Sequence, residues 1–428
     1  MKKLLLVIIS VFSIGIAGVD AHLEKIKSLL SEMEYKHAQE SFEKAISEFD
    51  SNAELYYLGG EIAIKLDNLD GANKNINKAI ELDIKNEDYR AKQENLVALK
   101  DGMTSARKTF DSGDIENAII EFEKLTQDFK NHAIVFYNLG RIYKANGEYD
   151  LAVDNYKQAI VLNPFEDKYS KAIKAIAQEM AKNGDTEYRR QEFDAAIENY
   201  LKAISYVPEY TTALFKIART YFKLKDYENT KLYLEKNLSV DPNQEQSEKM
   251  LGDIYKGMGD LENAILHYNL AISINGNYYK AYYSLGTALL KTGELEDART
   301  ALNQVIMIEP TYAKALGTLG YVEQELGNLD MAVDHYTRAT ELDPKSYDVY
   351  YRLASALNLK EKYEDAKSSA KSCLNIKRNY APAYFELGMA EKALGNKVAA
   401  IDAFEKAKKD KNWRKSADFE LNLINKGL

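Results

Sequence analysis

The sequence has only one cysteine, six prolines and five histidines among its 428 residues. A single cysteine, Cys373, excludes an intramolecular disulfide, so packing alone must hold the fold together. Six prolines are too few to interrupt regular structure often, and lysine, glutamate, aspartate and alanine are abundant. This composition favours an ordinary folded protein that is helical throughout.

Two classes of function also lack their usual signals. The formal net charge is −9, whereas nonspecific nucleic-acid binding needs a basic surface, so we expect no nucleic-acid partner. The histidines form neither HExxH nor Cys/His zinc spacings, and GxGxxG, GxxxxGK[ST] and GxSxG are missing. We therefore expect no catalytic residue, metal site or cofactor. His267 and His335 share one repeat position, and we expect both on the surface.

One long apolar run lies at the N-terminus. Lys2 and Lys3 precede fifteen apolar residues, Leu4 to Gly18, and small residues follow at Val19 and Ala21. This pattern predicts a secretory signal peptide over residues 1–21 that is removed in the mature chain. The alternative is an uncleaved anchor, although the run is shorter than the roughly 20 residues that span a bilayer. We expect export across a bacterial inner membrane to the periplasm, with no membrane span after cleavage.

The rest of the chain repeats every 34 residues. Pro208 and Pro242 are 34 residues apart, as are Pro310 and Pro344, and Leu-Gly pairs and alanines keep the same interval. Counting back from them gives eleven repeats, which begin at residues 19, 53, 99, 133, 177, 211, 245, 279, 313, 347 and 381. Insertions over 87–98 and 167–176 are amphipathic, and we interpret them as lengthened first helices. Residues 415–428 are predicted to form a helix that caps the last repeat.

The stretch 138–164, NLGRIYKANGEYDLAVDNYKQAIVLNP, shows the logic of one repeat. Apolar residues recur at three- and four-residue spacing in two segments, which predicts two amphipathic helices. Gly147 falls where the first helix must end and the chain reverse. Gly140 and Ala152 are small because two helices approach there, and Pro164 stops the second helix.

The spacing L-G-x₂-Y…A-x₃-Y/F…A…P over 34 residues resembles the tetratricopeptide repeat (TPR). The resemblance covers residues 19–428, although large residues replace the family's tryptophan, the first repeat lacks Leu-Gly, and Gly276 stands for proline in the seventh. It implies an all-α fold, a right-handed superhelical solenoid of antiparallel helix pairs over 22–428, with the first helices lining the concave side.

The resemblance also implies which side chains face the concave groove, at the second, fifth, ninth, twelfth and thirteenth places of each repeat. The candidate ligand-binding residues at these places are aromatic or basic: Tyr137, Arg141, Lys144, Tyr188, Phe215, Arg219, Phe222, Lys249, Tyr283, Tyr321, Tyr351 and Phe385. An aromatic at the fifth place is also common in the family without a ligand. The family's carboxylate clamp is missing, because no ninth place holds asparagine.

These observations predict a non-catalytic scaffold of the cell envelope. It would bind a peptide or a partner helix in an aromatic, partly basic groove, and acidic partners would suit the lysines and arginines. Two alternatives stay open on the same residues: recognition of an anionic envelope polysaccharide, and self-association of a structural protein. The sequence does not fix the oligomeric state.

Overall fold

A computed structural model describes residues 18–427 of the protein. Residues 1–17, which hold most of the predicted signal peptide, and residue 428 lie outside the described range. The described chain is helical from end to end and contains no strand between residues 18 and 427. The all-α prediction is therefore confirmed.

The chain forms a series of helices joined by short turns. Residues 18–31 are helical (α1), and the following helices are α2 Tyr35–Glu48, α3 Ala53–Lys65, α4 Leu69–Leu82, α5 Glu87–Asp111, α6 Ile115–Asp128, α7 Ala133–Ala145, α8 Tyr149–Leu162, α9 Asp167–Arg189, α10 Phe193–Tyr206, α11 Thr211–Lys223, α12 Tyr227–Val240, α13 Glu245–Met258, α14 Leu261–Ile274, α15 Tyr279–Thr292, α16 Leu295–Ile308, α17 Ala313–Glu325, α18 Leu329–Leu342, α19 Tyr347–Leu359, α20 Tyr363–Ile376, α21 Ala381–Ala393, α22 Lys397–Ala407 and α23 Arg414–Asn425.

Helices pair within repeats, and odd-numbered helices from α1 to α21 are the first helices. Eight of them begin at a repeat start counted from the sequence, as α3 does at Ala53 and α15 at Tyr279. The two insertions lie in α5 and α9, which are 25 and 23 residues long. The extra residues therefore extend first helices and do not form linkers.

Small residues set the distance between the two helices of a repeat. A Cβ atom added to Gly140 on α7 would lie 2.7 Å from the ring of Tyr156 on α8, too close for a real contact. Tyr156 and Ala152 are almost completely buried. The Leu-Gly and alanine periodicities are therefore the signature of close helix packing.

The turn between the helices of each repeat contains one residue with positive φ. Glycine fills this place in six repeats, as at Gly147 (φ 83°) and Gly259 (φ 86°). Five repeats use a larger residue with φ between 58° and 66°: Met33, Asp67, Gln191, Lys225 and Glu361. Since side chains other than glycine are strained in this region, these five turns carry a conformational cost.

The chain divides into two compact units, an N-terminal unit that ends at Ala213 and a C-terminal unit that begins at Leu214. In the N-terminal unit, Phe42, Leu55 and Ile62 centre one core cluster. In the C-terminal unit, a larger cluster contains Tyr268 and Leu302. Each core runs between successive helix pairs, as expected for stacked repeats.

The last helix covers the end of the final repeat. Leu421 and Ile424 of α23 pack with Phe404 of α22, and α23 spans Arg414–Asn425 where a cap was predicted over 415–428. Between residues 18 and 427 we find no helix that combines the length and the apolar character needed to cross a membrane.

Candidate functional site

In the N-terminal unit, the candidate groove residues lie on α7 and α9 and differ in exposure. Arg141 is exposed, whereas Tyr137 is half-buried. The Tyr137 ring lies 5.6 Å from that of Tyr156 and 5.4 Å from that of Tyr169, with the Lys168 ammonium 5.5 Å above it. Tyr137 is therefore part of an internal aromatic cluster.

The other two candidates of this unit also have partners nearby. The Lys144 ammonium lies 3.4 Å from the Glu179 carboxylate on α9. The Tyr188 ring meets Phe193 edge to face at 5.5 Å, across the turn of the same repeat. Arg141 is the candidate of this unit that projects most freely into solvent.

A contact between distant repeats crosses this unit. Asp67, in the turn after α3, pairs with Lys168 at the start of α9, with a distance of 2.6 Å between Nζ and Oδ2. The Tyr169 hydroxyl donates to the same carboxylate, and Asn163 Nδ2 donates to the Lys65 carbonyl oxygen at 2.7 Å. The Asp67 side chain is only 4% exposed. We call this contact the Asp67 bridge; repeats in a solenoid usually touch only their neighbours.

Basic side chains surround the α3 end of the bridge. The Lys92 ammonium pairs with Glu61 at 2.9 Å. Burial lowers the pKa of His132 to about 4, and the charges of Lys92 and Lys65 lower it further in the same direction. His132 is therefore neutral at physiological pH, and the lysines supply the positive charge.

In the C-terminal unit, the aromatic candidates pack against the beginning of the next repeat. Tyr283 meets Tyr312 at 5.2 Å, and Tyr351 meets Tyr380 at 5.7 Å, both edge to face. Phe385 lies 5.0 Å from Trp413. The aromatic residues at the fifth place thus pack one repeat against the next, while part of each ring stays accessible.

The remaining candidates of this unit are likewise half-buried. Phe215 and Phe222 on α11 pack against a core cluster that contains Leu234 and Leu251. The guanidinium of Arg352 covers the Tyr321 ring at 4.3 Å. Arg219 is also partly buried.

Three lysines of repeats seven and eight gather on α13 and α15. Lys249 pairs with Asp253 at 2.6 Å. Burial lowers the pKa of Lys256, and the neighbouring positive charges of Lys249 and Lys291 lower it further, against the opposing effect of Asp253. We call Lys249, Lys256 and Lys291 the lysine cluster; with one aspartate among them, it carries a surplus of positive charge.

The expectation that His267 and His335 lie on the surface is wrong. Their side chains are 19% and 12% exposed. His267 stacks on Tyr255 at 5.2 Å, and its Nδ1 is 2.7 Å from Glu248. Each histidine precedes a core tyrosine on a second helix, and the neighbouring first helix covers that place too.

Cys373 is buried, and burial raises the pKa of its thiol to about 11. Nowhere in residues 18–427 do three or more His, Cys, Asp or Glu side chains form a group that could hold a metal ion.

Family models match separate stretches that together cover more than half of the chain. Models described as "Tetratricopeptide repeat" match residues 133–165, 211–244, 279–312, 313–346, 335–368 and 381–409. A model described as "TPR repeat" matches residues 184–225 and 252–293.

Curated relatives match shorter stretches. Human "Tetratricopeptide repeat protein 16" is 21% identical over 52% of this chain and 25% of its own length. "Photosystem I assembly protein Ycf3" of Prochlorococcus marinus (strain MIT 9301) is 36% identical over 17% of this chain and 43% of its own. The Ycf3 of Cyanophora paradoxa is 29% identical over 26% and 65%. The chain thus spans less than two thirds of the length of these relatives.

Solved structures to which the chain is similar include MamA, with 26% identity and a TM-score of 0.36 over 40% of this chain and 93% of that one. YrrB, described as "a TPR protein with an unusual peptide-binding site", shares 17% identity with a TM-score of 0.40 over 43% and 97%. The repeat spacing, the paired helices and the family matches agree: the chain belongs to the tetratricopeptide repeat family.

Proposed function

We propose that this protein is an interaction scaffold of the bacterial cell envelope that binds an acidic peptide or partner helix on its first helices. Tetratricopeptide repeats form a scaffold of the kind that binds protein partners, and repeat solenoids present extended surfaces for this purpose. Export rests on the predicted signal over residues 1–21, and the envelope location rests on export.

The lysine cluster is the observation that supports an acidic partner. Lys256 is half-buried, and the positive charges of Lys249 and Lys291 add to the cost of keeping its ammonium charged. A carboxylate placed among them would relieve this repulsion in a partly desolvated setting, where charge pairs are stronger than in bulk water. Tyr283, on the same helix as Lys291, supplies an accessible ring for an adjoining apolar side chain.

Charge reversal tests this surface. We expect Lys291→Glu, an exposed change on α15, to weaken binding of a captured partner at least tenfold, because it replaces attraction by repulsion. Lys371→Glu makes the same change at an exposed lysine on second helix α20 and should leave binding within about twofold. Equal effects of the two variants would refute the proposal, since net charge alone would then explain the loss.

The salt dependence of binding distinguishes a peptide partner from an anionic polysaccharide. Raising ionic strength from about 0.05 to 0.5 M shortens the distance over which charges act. A peptide anchored on tyrosine rings should keep part of its affinity, whereas a polymer held by charge alone should be released. Complete release of the partner at about 0.5 M would favour the polysaccharide.

A further inference from the structure

A pocket of about 430 Å³ opens between α19 and α21 in the C-terminal unit, away from the lysine cluster. Phe385, Met389 and Leu359 give it apolar walls, and Glu386 and Asn358 give it a polar side. The two helices are joined at this point, because Asn358 Nδ2 donates to the Glu386 carbonyl at 2.9 Å and to Oε2 at 2.8 Å. The polar side is therefore a fixed structure and not a mobile surface charge.

Glu386 is a buried carboxylate without a counter-charge. It is only 8% exposed, and no lysine or arginine of residues 18–427 lies within ion-pair distance of it. Glu391, five residues further along α21 and 5% exposed, does have such a partner in Lys367 at 3.3 Å. Burial of an unpaired charge is costly, and desolvation raises the pKa of Glu386 accordingly. The buried carboxylate of Glu391 therefore has a cationic partner, whereas that of Glu386 has none.

The nearby charged groups leave the pocket negative. Lys392 also lines it, but its ammonium is held 2.9 Å from the carboxylate of Glu420. The charges of Lys392 and Glu420 balance each other, so the charge of Glu386 stays uncompensated. Asn358 Nδ2 and the Ser355 side chain bond to the Glu386 carboxylate, whereas the buried Asn358 Oδ1 has no hydrogen-bond donor. Acceptor capacity therefore remains on the polar side of the pocket.

We propose that this pocket receives a basic side chain, arginine or lysine, from the protein partner, with its aliphatic stem against Phe385, Met389 and Leu359 and its charged head at Glu386. This inference rests on the proposed scaffold function and adds a second, oppositely charged contact to it. A guanidinium or ammonium brings only donors, which match the remaining acceptor capacity. An acidic or neutral side chain would leave Glu386 unpaired.

Trp413 offers a direct readout, since it is the single tryptophan of the chain and its ring lies 5.0 Å from Phe385. The probe is the peptide acetyl-Leu-Arg-Leu-amide, titrated into the full chain up to about 5 mM, because one anchored side chain gives millimolar affinity. The matched peptide carries citrulline, which keeps the shape of arginine and lacks its charge. Calorimetry in parallel detects binding that leaves the fluorescence unchanged.

We expect the arginine peptide to bind and to shift Trp413 emission, and the citrulline peptide to bind at least tenfold more weakly. Glu386→Gln should abolish this difference, while Glu364→Gln, which removes an exposed carboxylate on α20, should preserve it. Absence of binding by both methods, or equal binding of the two peptides to the unmodified chain, would overturn the inference. The scaffold proposal has a separate test at Lys291, so a failure of the pocket can be distinguished from a failure of the scaffold proposal.

Discussion

The Asp67 bridge makes a quantitative prediction, because Asp67 is one of five residues that occupy the strained turn position in place of glycine. At the other four turns of the described chain we find no comparable contact of the side chain; Glu361, with φ 59°, is exposed. Glycine at such a position removes strain of about 1–2 kcal/mol and adds about 0.5–1 kcal/mol of entropy to the unfolded chain. We therefore expect Glu361→Gly to stabilise the protein by roughly 0.5–1 kcal/mol.

Asp67→Gly should have the opposite sign. The substitution relieves the same backbone strain at φ 58°, but it removes the carboxylate that pairs with Lys168 and accepts a hydrogen bond from Tyr169. Because Tyr169 is fully buried, its hydroxyl would be left unsatisfied, and the loss of both interactions costs about 2–4 kcal/mol. The net change should be a destabilisation of roughly 1–3 kcal/mol.

Amide hydrogen exchange with chemical denaturation measures both effects. Asp67→Gly should accelerate exchange at residues 163–169, on the far side of the bridge, while Glu361→Gly should leave that segment unchanged. Asp67→Asn keeps an acceptor and loses the charge, so its free energy of unfolding should lie between those of Asp67→Gly and Glu361→Gly. If Asp67→Gly proved as stable as Glu361→Gly, with exchange at 163–169 unaltered, the bridge would not exist in solution.

Four further predictions concern packing and buried groups. Ala298→Leu should destabilise the protein by about 1–3 kcal/mol in thermal unfolding, since Ala298 is fully buried between helices; a neutral result would contradict the repeat alignment. Glu386→Gln should stabilise by roughly 1 kcal/mol at pH 7, whereas Glu391→Gln should cost about 1–3 kcal/mol because it breaks the ion pair of the buried Glu391 carboxylate with Lys367. Glu386 lies beside Tyr351 and Lys392, and its raised pKa favours the protonated carboxyl in the folded state. Its contribution to the free energy of unfolding is therefore present below pH 4.5 and is lost as pH rises. Glu386→Gln should flatten that part of the plot of stability against pH, and an unchanged plot would argue against a raised pKa. Cys373 should react with a thiol reagent only on unfolding, as its pKa near 11 implies, and rapid labelling of the native protein would disprove its burial.

The periodic features were predictable from the sequence because each has a local cause. Gly140 and Ala298 recur where two helices meet, and Gly147 recurs where the chain reverses with positive φ. The insertions could be assigned to α5 and α9 because their apolar spacing continues that of the following helix. These signals lie within one or two repeats, which is the range over which a solenoid makes most of its contacts.

Features that depend on one particular pair of residues were not predictable. Asp67 and Lys168 are 101 positions apart, and no spacing rule connects a turn residue to the start of a helix three repeats later. Glu386 resembles the other 65 acidic residues of the chain in sequence, and only its burial and the lack of a cation set it apart. A non-glycine residue at the turn position was visible in the sequence at Asp67, but four other repeats share that signal.

Site-specific photocrosslinking tests most directly the claim that partners bind the first helices. A photoreactive residue would replace Arg141 or Lys291, which are exposed on first helices α7 and α15, and Lys157 or Lys371, which are exposed on second helices α8 and α20. The full chain would be crosslinked in its native cells, and the products identified by mass spectrometry. We predict that one partner is captured repeatedly from positions 141 and 291 and is missing from positions 157 and 371. Equal capture from all four positions, or capture from the second helices alone, would contradict the account.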